Sequence, residues 1–124
     1  MILVIDTSDE DCLVGIFDGQ KRDRINWQWQ KDTGGEVLER IGKLLIKHNL
    51  KISGLEAIAV NQGPGSYTGL RVGITIANTL AWSLKIPVFG YSSQDIENVI
   101  KQIAEKLKKG NYSPSHFPTP IYKN

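Results

Sequence analysis

The residues best suited to chemistry lie in a glycine-rich stretch near the middle of the chain. Residues 63–69 read Gly63-Pro64-Gly65-Ser66-Tyr67-Thr68-Gly69, after an apolar run at 57–60 and before a helical pattern from residue 70. A glycine turn at a helix N-terminus presents free backbone N–H groups, which bind phosphate and other anions. Gly63, Gly65 and Ser66 are therefore candidate anion-binding residues.

The glycine spacing leaves a structural alternative open. No Gly-Lys-Ser/Thr closes the loop as a Walker A motif requires, and the third glycine stands at 69 where a dinucleotide fingerprint needs it at 68. The glycines can instead serve only to allow positive φ in a tight turn, and spacing alone favours that interpretation. If the glycines serve only the turn, we expect Gly65→Val to lower thermal stability, since β-branched residues are disfavoured at positive φ.

A second candidate, Asp6-Thr7-Ser8, directly follows the apolar run at 2–5. Asp6 and Thr7 could hold a phosphate or its magnesium ion. Asp and Ser also bond the backbone of their own turn, and such turns are commoner than metal sites. The acidic run at 9–11 would repel a bare phosphate nearby, so the structural interpretation is favoured here as well.

Composition limits the class of protein. The 124 residues suit one domain, and 15 basic against 13 acidic residues give a net charge of +2, too balanced to indicate a nucleic-acid surface. The single cysteine, Cys12, excludes a disulfide framework and fits a reducing cytosol. No apolar run reaches membrane-spanning length, so we expect a cytoplasmic protein with no membrane association.

Periodicity predicts an α/β protein. Strands are expected at 2–5, 12–17 and 24–30, with a hairpin signal at Asp18-Gly19, and again at 57–60 and 86–90. Helices are expected from a capping box at Thr33 and Glu36, from about residue 66 to 83, and from a cap at Ser92-Ser93 to Gly110. Strand, glycine turn, helix and strand at 57–90 form a βαβ unit of a parallel sheet. The proline-rich residues 111–124 predict an extended segment held against a surface.

Small residues recur at every fourth position of the second predicted helix: Gly69, Gly73, Ala77 and Ala81. Such a row lets another backbone approach closely. The neighbour can be the chain's own sheet or first helix, or a partner's helix. The sequence leaves both possibilities open.

The residue order of the central stretch resembles the signature motif of the bacterial TsaB family. The resemblance covers residues 63–73 with the run before them, Ile5-Asp6-Thr7-Ser8, and Pro87-Val88 followed by Ser92-Ser93. It implies a single actin-like, ribonuclease H-like lobe over residues 1–110, with a mixed five-stranded sheet, an opening β-meander and three helices. Residues 111–124 would form an extended tail. TsaB proteins are non-catalytic partners of the transferase TsaD in the t6A modification of tRNA.

The resemblance also implies partners and a binding surface. We expect a heterodimer with a TsaD-like transferase, contact with a TsaE-like ATPase, a homodimer when alone, and tRNA only through the complex. No cofactor or metal site of its own is expected, and ATP or ADP would bind only at the partner interface. In the family the two partners join through helices of the first lobe, which correspond here to residues 36–49 and 70–83. These two helices carry more apolar residues than one face of a sheet needs, which supports the same surface independently. The partner-binding residues are expected to be Leu38, Ile41, Leu45, Leu70, Gly73, Ile74, Ala77 and Ala81.

The chain departs from the family in length, because a typical TsaB has a second lobe beyond this point. We interpret the sequence as a natural one-lobe version, which provides at most half of a nucleotide cleft. Two rival functions stay open: a small nucleotide- or phosphate-binding enzyme using Asp6, Thr7 and residues 63–66, and a self-associating scaffold. The sequence shows no general base or nucleophile pair, which argues against the enzyme.

Overall fold

A mixed five-stranded sheet forms the centre of the protein, with strand order β3-β2-β1-β4-β5. The computed structural model describes residues 1–19, 21–29, 34–92, 95–113 and 116–122. The elements are β1 (Ile2–Asp6), β2 (Asp11–Asp18), β3 (Lys21–Gln28), α1 (Gly34–Lys47), β4 (Ala57–Asn61), α2 (Tyr67–Leu84), β5 (Val88–Tyr91) and α3 (Ile96–Lys109). A short 3₁₀ turn, Ile52–Gly54, lies between α1 and β4.

The sheet combines the two pairing modes that the sequence predicts. β1, β2 and β3 form an antiparallel meander, while β4 pairs in parallel with both β1 and β5. The α2 helix is the crossover between parallel β4 and β5, which a two-residue hairpin could not connect. The predicted α/β class, the opening meander and the βαβ unit are thus confirmed.

Helices cover both faces of the sheet. On one face α1 and α2 pack over alternate residues of the central strands, including Leu3 and Ile5 of β1 and Ile58 and Val60 of β4. On the other face α3 packs Val99, Ile100 and Ile103 against a second cluster from β1, β4 and β5. Burial on both faces explains why β1 and β4 read as continuous apolar runs.

Several boundaries differ from the sequence prediction. β3 begins at Lys21, three residues before the predicted start, because its pairing with β2 extends to the Asp18–Lys21 pair at the hairpin. The α3 helix is capped by Asp95, whose carboxylate accepts the Asn98 N–H at 3.1 Å, so the predicted cap at Ser92-Ser93 is wrong. The predicted N-cap Thr33, together with Ser93, lies outside the described residues. In the described ranges no helix is long and apolar enough to cross a membrane.

Candidate functional site

The two candidate chemical segments meet at the carboxyl ends of the parallel strands. Asp6 ends β1, and the glycine turn begins two residues after the end of β4, the neighbouring strand. The Ser66 N–H donates to the Ser8 carbonyl at 3.0 Å, and the buried Thr7 hydroxyl donates to the Gly69 carbonyl at 2.5 Å. The structure therefore brings the predicted anion-binding residues together.

Their polar groups bond mainly to the protein itself. Asp6 Oδ1 accepts the N–H and the hydroxyl of Ser8, at 2.9 and 2.7 Å, and Asp6 Oδ2 accepts the Asn61 amide at 3.2 Å. The Gly63 N–H donates to Asn61 Oδ1 at 2.9 Å. Asp6 is thus an Asx-type turn residue, and the N–H groups of Gly63 and Ser66 are used in closing the turn. This arrangement supports the structural interpretation, and anion binding stays a prediction.

Two glycines of the turn are required for different reasons. Gly63 has a φ of 104°, a conformation that side chains with a Cβ rarely adopt. Gly65 is not among the residues with positive φ, so the expected reason for its requirement is wrong. A Cβ at Gly65 would instead clash with the Ser8 carbonyl, which approaches the turn closely.

Sequence reasoning missed two residues of this region. Asn61, buried at the end of β4, links the carboxylate of Asp6 to the glycine turn. Tyr91 pairs beside Asn61 at the end of β5, and its buried hydroxyl has no hydrogen-bond partner in the described part of the chain. Burial, and then the charge of Asp6, raise the pKa of Tyr91 well above its ordinary value. The position of Asn61, directly between strand and glycines, was the available signal.

The small-residue row of α2 faces the chain's own sheet. Gly69, Gly73, Ala77 and Ala81 are all buried. A Cβ at Gly73 would clash with the Thr7 hydroxyl and lie 3.5 Å from a methyl group of Ile5, both in or next to β1. The close approach that the row allows is therefore internal.

This packing corrects most of the predicted partner surface. Seven of the eight residues expected to contact a partner are buried in the core, so they form no exposed surface: Ile41, Leu45, Leu70, Gly73, Ile74, Ala77 and Ala81. Leu38 is the exception, because 52% of it is exposed. The sequence pattern correctly identified apolar residues but could not distinguish core from surface.

Exposed apolar side chains nevertheless lie on the same two helices. Leu38, Gly42 and Ile46 recur at every fourth position of α1, and we call them the α1 apolar row. Ile46 is 82% exposed, and a Cβ at Gly42 would have no neighbouring atom within 4 Å. On α2, Trp82 is 73% exposed. Periodicity assigned neither Ile46 nor Trp82 to a surface.

No group of three or more His, Cys, Asp or Glu side chains is arranged to hold a metal ion within the described ranges. Nε2 of His48, the residue directly after α1, lies 2.8 Å from the carboxylate of Asp23 in β3. Lys47 contacts the same carboxylate at 2.8 Å. Hydrogen bonds from these two side chains hold the pKa of Asp23 well below its ordinary value. The cluster ties the end of α1 to β3.

The order β3-β2-β1-β4-β5, with α1 and α2 on one face and α3 on the other, defines an actin-like, ribonuclease H-like lobe. The family model "TsaD: tRNA N6-adenosine threonylcarbamoyltransferase" matches residues 35–113. The TsaB protein of Buchnera aphidicola subsp. Schizaphis graminum is 35% identical over 77% of this chain and 46% of its own length. That of Haemophilus influenzae is 30% identical over 90% of this chain and 52% of its own.

Solved structures agree with these relatives. The structure of YeaZ from Pseudomonas aeruginosa superposes with a TM-score of 0.71 at 28% identity, covering 88% of this chain and 49% of that one. The chain belongs to the TsaB family, as its motifs predict. It spans about half the length of these relatives.

Proposed function

We propose that this chain takes part in t6A biosynthesis on tRNA as a non-catalytic subunit that binds a TsaD-like transferase. The matched relatives are named tRNA threonylcarbamoyladenosine biosynthesis proteins, which supports the pathway. The internal hydrogen bonds of Asp6 and Thr7 support the non-catalytic role, since these groups hold the glycine turn.

The observation that carries the proposed binding role is the α1 apolar row. Leu38 and Ile46 are 52% and 82% exposed, and they lie two helical turns apart on one face. Gly42 between them leaves open space, so a facing helix can approach the α1 backbone there. Exposed apolar side chains grouped on one surface mark interaction sites in soluble proteins.

The neighbouring helix extends this surface. Val72, Ile76 and Leu80 recur at every fourth position of α2 and are only half-buried against the core. Because α1 and α2 cover the same face of the sheet and contact each other, a partner can engage both helices. The expected contact is thus a helical bundle formed by exposed residues, while the small-residue row remains inside.

A charge introduced into the α1 apolar row tests the proposal. We expect Leu38→Glu and Ile46→Glu each to weaken binding to the organism's TsaD-like transferase about 10- to 100-fold, or about 1.4 to 2.8 kcal/mol, measured by calorimetry. Both side chains are exposed, so the variants should fold and melt close to wild type. Addition of the wild-type chain should stimulate t6A synthesis by the transferase, and addition of the variants should not.

Gln102→Glu is the matched control, since it adds the same charge at an exposed position of α3 on the opposite face of the sheet. It should bind and stimulate like wild type. Folded row variants with wild-type affinity would contradict the proposed surface. A wild-type chain that dimerises through the row and ignores the transferase would favour the self-associating scaffold.

A further inference from the structure

Residues 116–122 form an extended segment that returns to the globular body. Phe117 packs against the core cluster beneath α1 and α2, and Pro118 is buried. The Pro118 carbonyl accepts a hydrogen bond from the side-chain amide of Asn78, on α2, at 3.1 Å. These contacts place the segment beside the middle of α2.

The far end of the segment closes over the glycine turn. The Ile121 N–H donates to the Gln62 carbonyl at 2.7 Å, and Tyr122 forms an isolated parallel bridge with Gly65. The rings of Tyr122 and Tyr67 stack with their centroids 4.7 Å apart. The segment therefore contacts both the turn and the first residue of α2.

The turn is shaped to receive this segment. A Cβ at Gly63 would clash with the Ile121 carbonyl. One at Gly90 of β5 would clash first with the side chain of Gln62 and would also lie 3.1 Å from Pro118. Gly63 therefore leaves room for the returning chain. The stacked Tyr67 also accepts a hydrogen bond from the Arg71 guanidinium, at 3.0 Å, so the contact continues one turn further along α2.

The contacts at this end are few and partly open to solvent. Ile121 is 46% exposed and Tyr122 is 38% exposed. The Ile121 N–H donates to the Gln62 carbonyl beside the isolated Gly65–Tyr122 bridge, and no regular strand pairing extends this contact along the described part of the segment. Elements with few buried contacts and exposed hydrogen bonds open at lower free energy than the core. The central strands, buried on both faces, do not share this weakness.

We propose that residues 119–122, the part of this segment beyond the buried Pro118, are a reversible strap on the β4–α2 turn. Docked, the strap covers the glycine turn and fixes the start of α2 through the Tyr67 stack. Undocked, it frees the turn while the sheet and α3 stay folded. This inference does not depend on the proposed function.

Hydrogen exchange on the full chain, resolved by NMR, tests the strap. Ile121→Pro removes the N–H that bonds Gln62, and Tyr122→Ala removes the ring stacked on Tyr67. In both variants we expect the amides of Gly63 and Ser66, which donate to Asn61 Oδ1 and to the Ser8 carbonyl, to exchange at least about tenfold faster. Exchange in β1 and α3 should stay within about twofold of wild type.

The control is Thr119→Ala, which changes an exposed side chain of the same segment and should leave all these rates unchanged. Unchanged Gly63 and Ser66 rates in both strap variants would show that the segment does not hold the turn. An equal rise in every element would show that it is part of one cooperative fold. Either result overturns the proposal.

Discussion

The two mid-helix glycines, Gly42 and Gly73, provide a matched pair of substitutions with opposite expected outcomes. The intrinsic helix propensity of glycine costs about 1 kcal/mol relative to alanine at an interior position, and this term is common to both sites. A Cβ at Gly42 would enter open space, but one at Gly73 would clash with the hydroxyl of Thr7. The difference between the two variants therefore measures the close approach of α2 to β1.

The magnitudes follow from these surroundings. Gly42→Ala should gain about 1 kcal/mol and raise the melting temperature by about 3–5 °C for a domain of this size. Gly73→Ala has the same gain, but it displaces the buried Thr7 hydroxyl from the Gly69 carbonyl, which it bonds at 2.5 Å. A buried hydroxyl left unbonded costs about 1–3 kcal/mol, and overpacking costs a similar amount. Subtracting the gain of about 1 kcal/mol from the two costs together leaves an expected net loss of about 1–5 kcal/mol.

Urea denaturation followed by circular dichroism gives both free energies of unfolding. A double-mutant cycle with Thr7→Ala then assigns the cause, because removing the Thr7 side chain removes the atom that the new methyl group meets. Gly73→Ala should be less destabilising in the Thr7→Ala background than in wild type, by at least about 1 kcal/mol. If Gly73→Ala is as stable as wild type, or if the cycle shows no coupling, the close-packing explanation is refuted.

Three further results are expected. Burial, and then nearby carboxylates, raise the pKa of the Cys12 thiol to about 12, so iodoacetamide at pH 8 should leave it unmodified until the chain unfolds. Because the pKa of Asp23 lies below its ordinary value of 3.8 in the folded chain, the contacts of its carboxylate stabilise the fold at pH values above 3.8. This contribution is lost progressively as the pH falls below 3.8 towards the lowered pKa. The melting temperature of Asp23→Asn should therefore lie below that of wild type at pH 7 and approach it at pH 3. Gly65→Val should lower thermal stability because its side chain meets the carbonyl of the β1–β2 turn, and a melting curve like that of wild type would contradict this packing.

The sequence alone determined the fold class and the identity of its central unit. The β-branched run at 57–60, the glycines and the helical spacing from residue 70 predicted β4, the turn and α2 to within a few residues. These signals are local, because a strand's side chains repeat every two residues and a helix's every 3.6. The same short motif resembles the TsaB family, and the similarity to known TsaB proteins confirms that family.

Only the tertiary structure decided which apolar residues remain exposed. The row from Gly69 to Ala81 suits a partner's helix and the chain's own β1 equally, because either contact requires small side chains. In the sequence Ile46 is one more apolar residue of α1. It is nevertheless 82% exposed, because it lies on the side of the helix opposite the buried Val37. Burial depends on which elements pack together across the whole chain, and periodicity within one helix does not contain that information.

The hydrogen bonds of the glycine turn show the same difference between what the local sequence predicts and what the tertiary structure adds. Its composition allowed either an anion site or a tight turn, since both need glycine and free N–H groups. The hydrogen bonds that support the tight-turn interpretation come from residues distant in sequence: Asn61 beside Asp6, Ser8 beside Ser66, and Ile121 over Gln62. Such pairings arise only when the parallel strands bring their carboxyl ends to one edge of the sheet, and no local pattern encodes them.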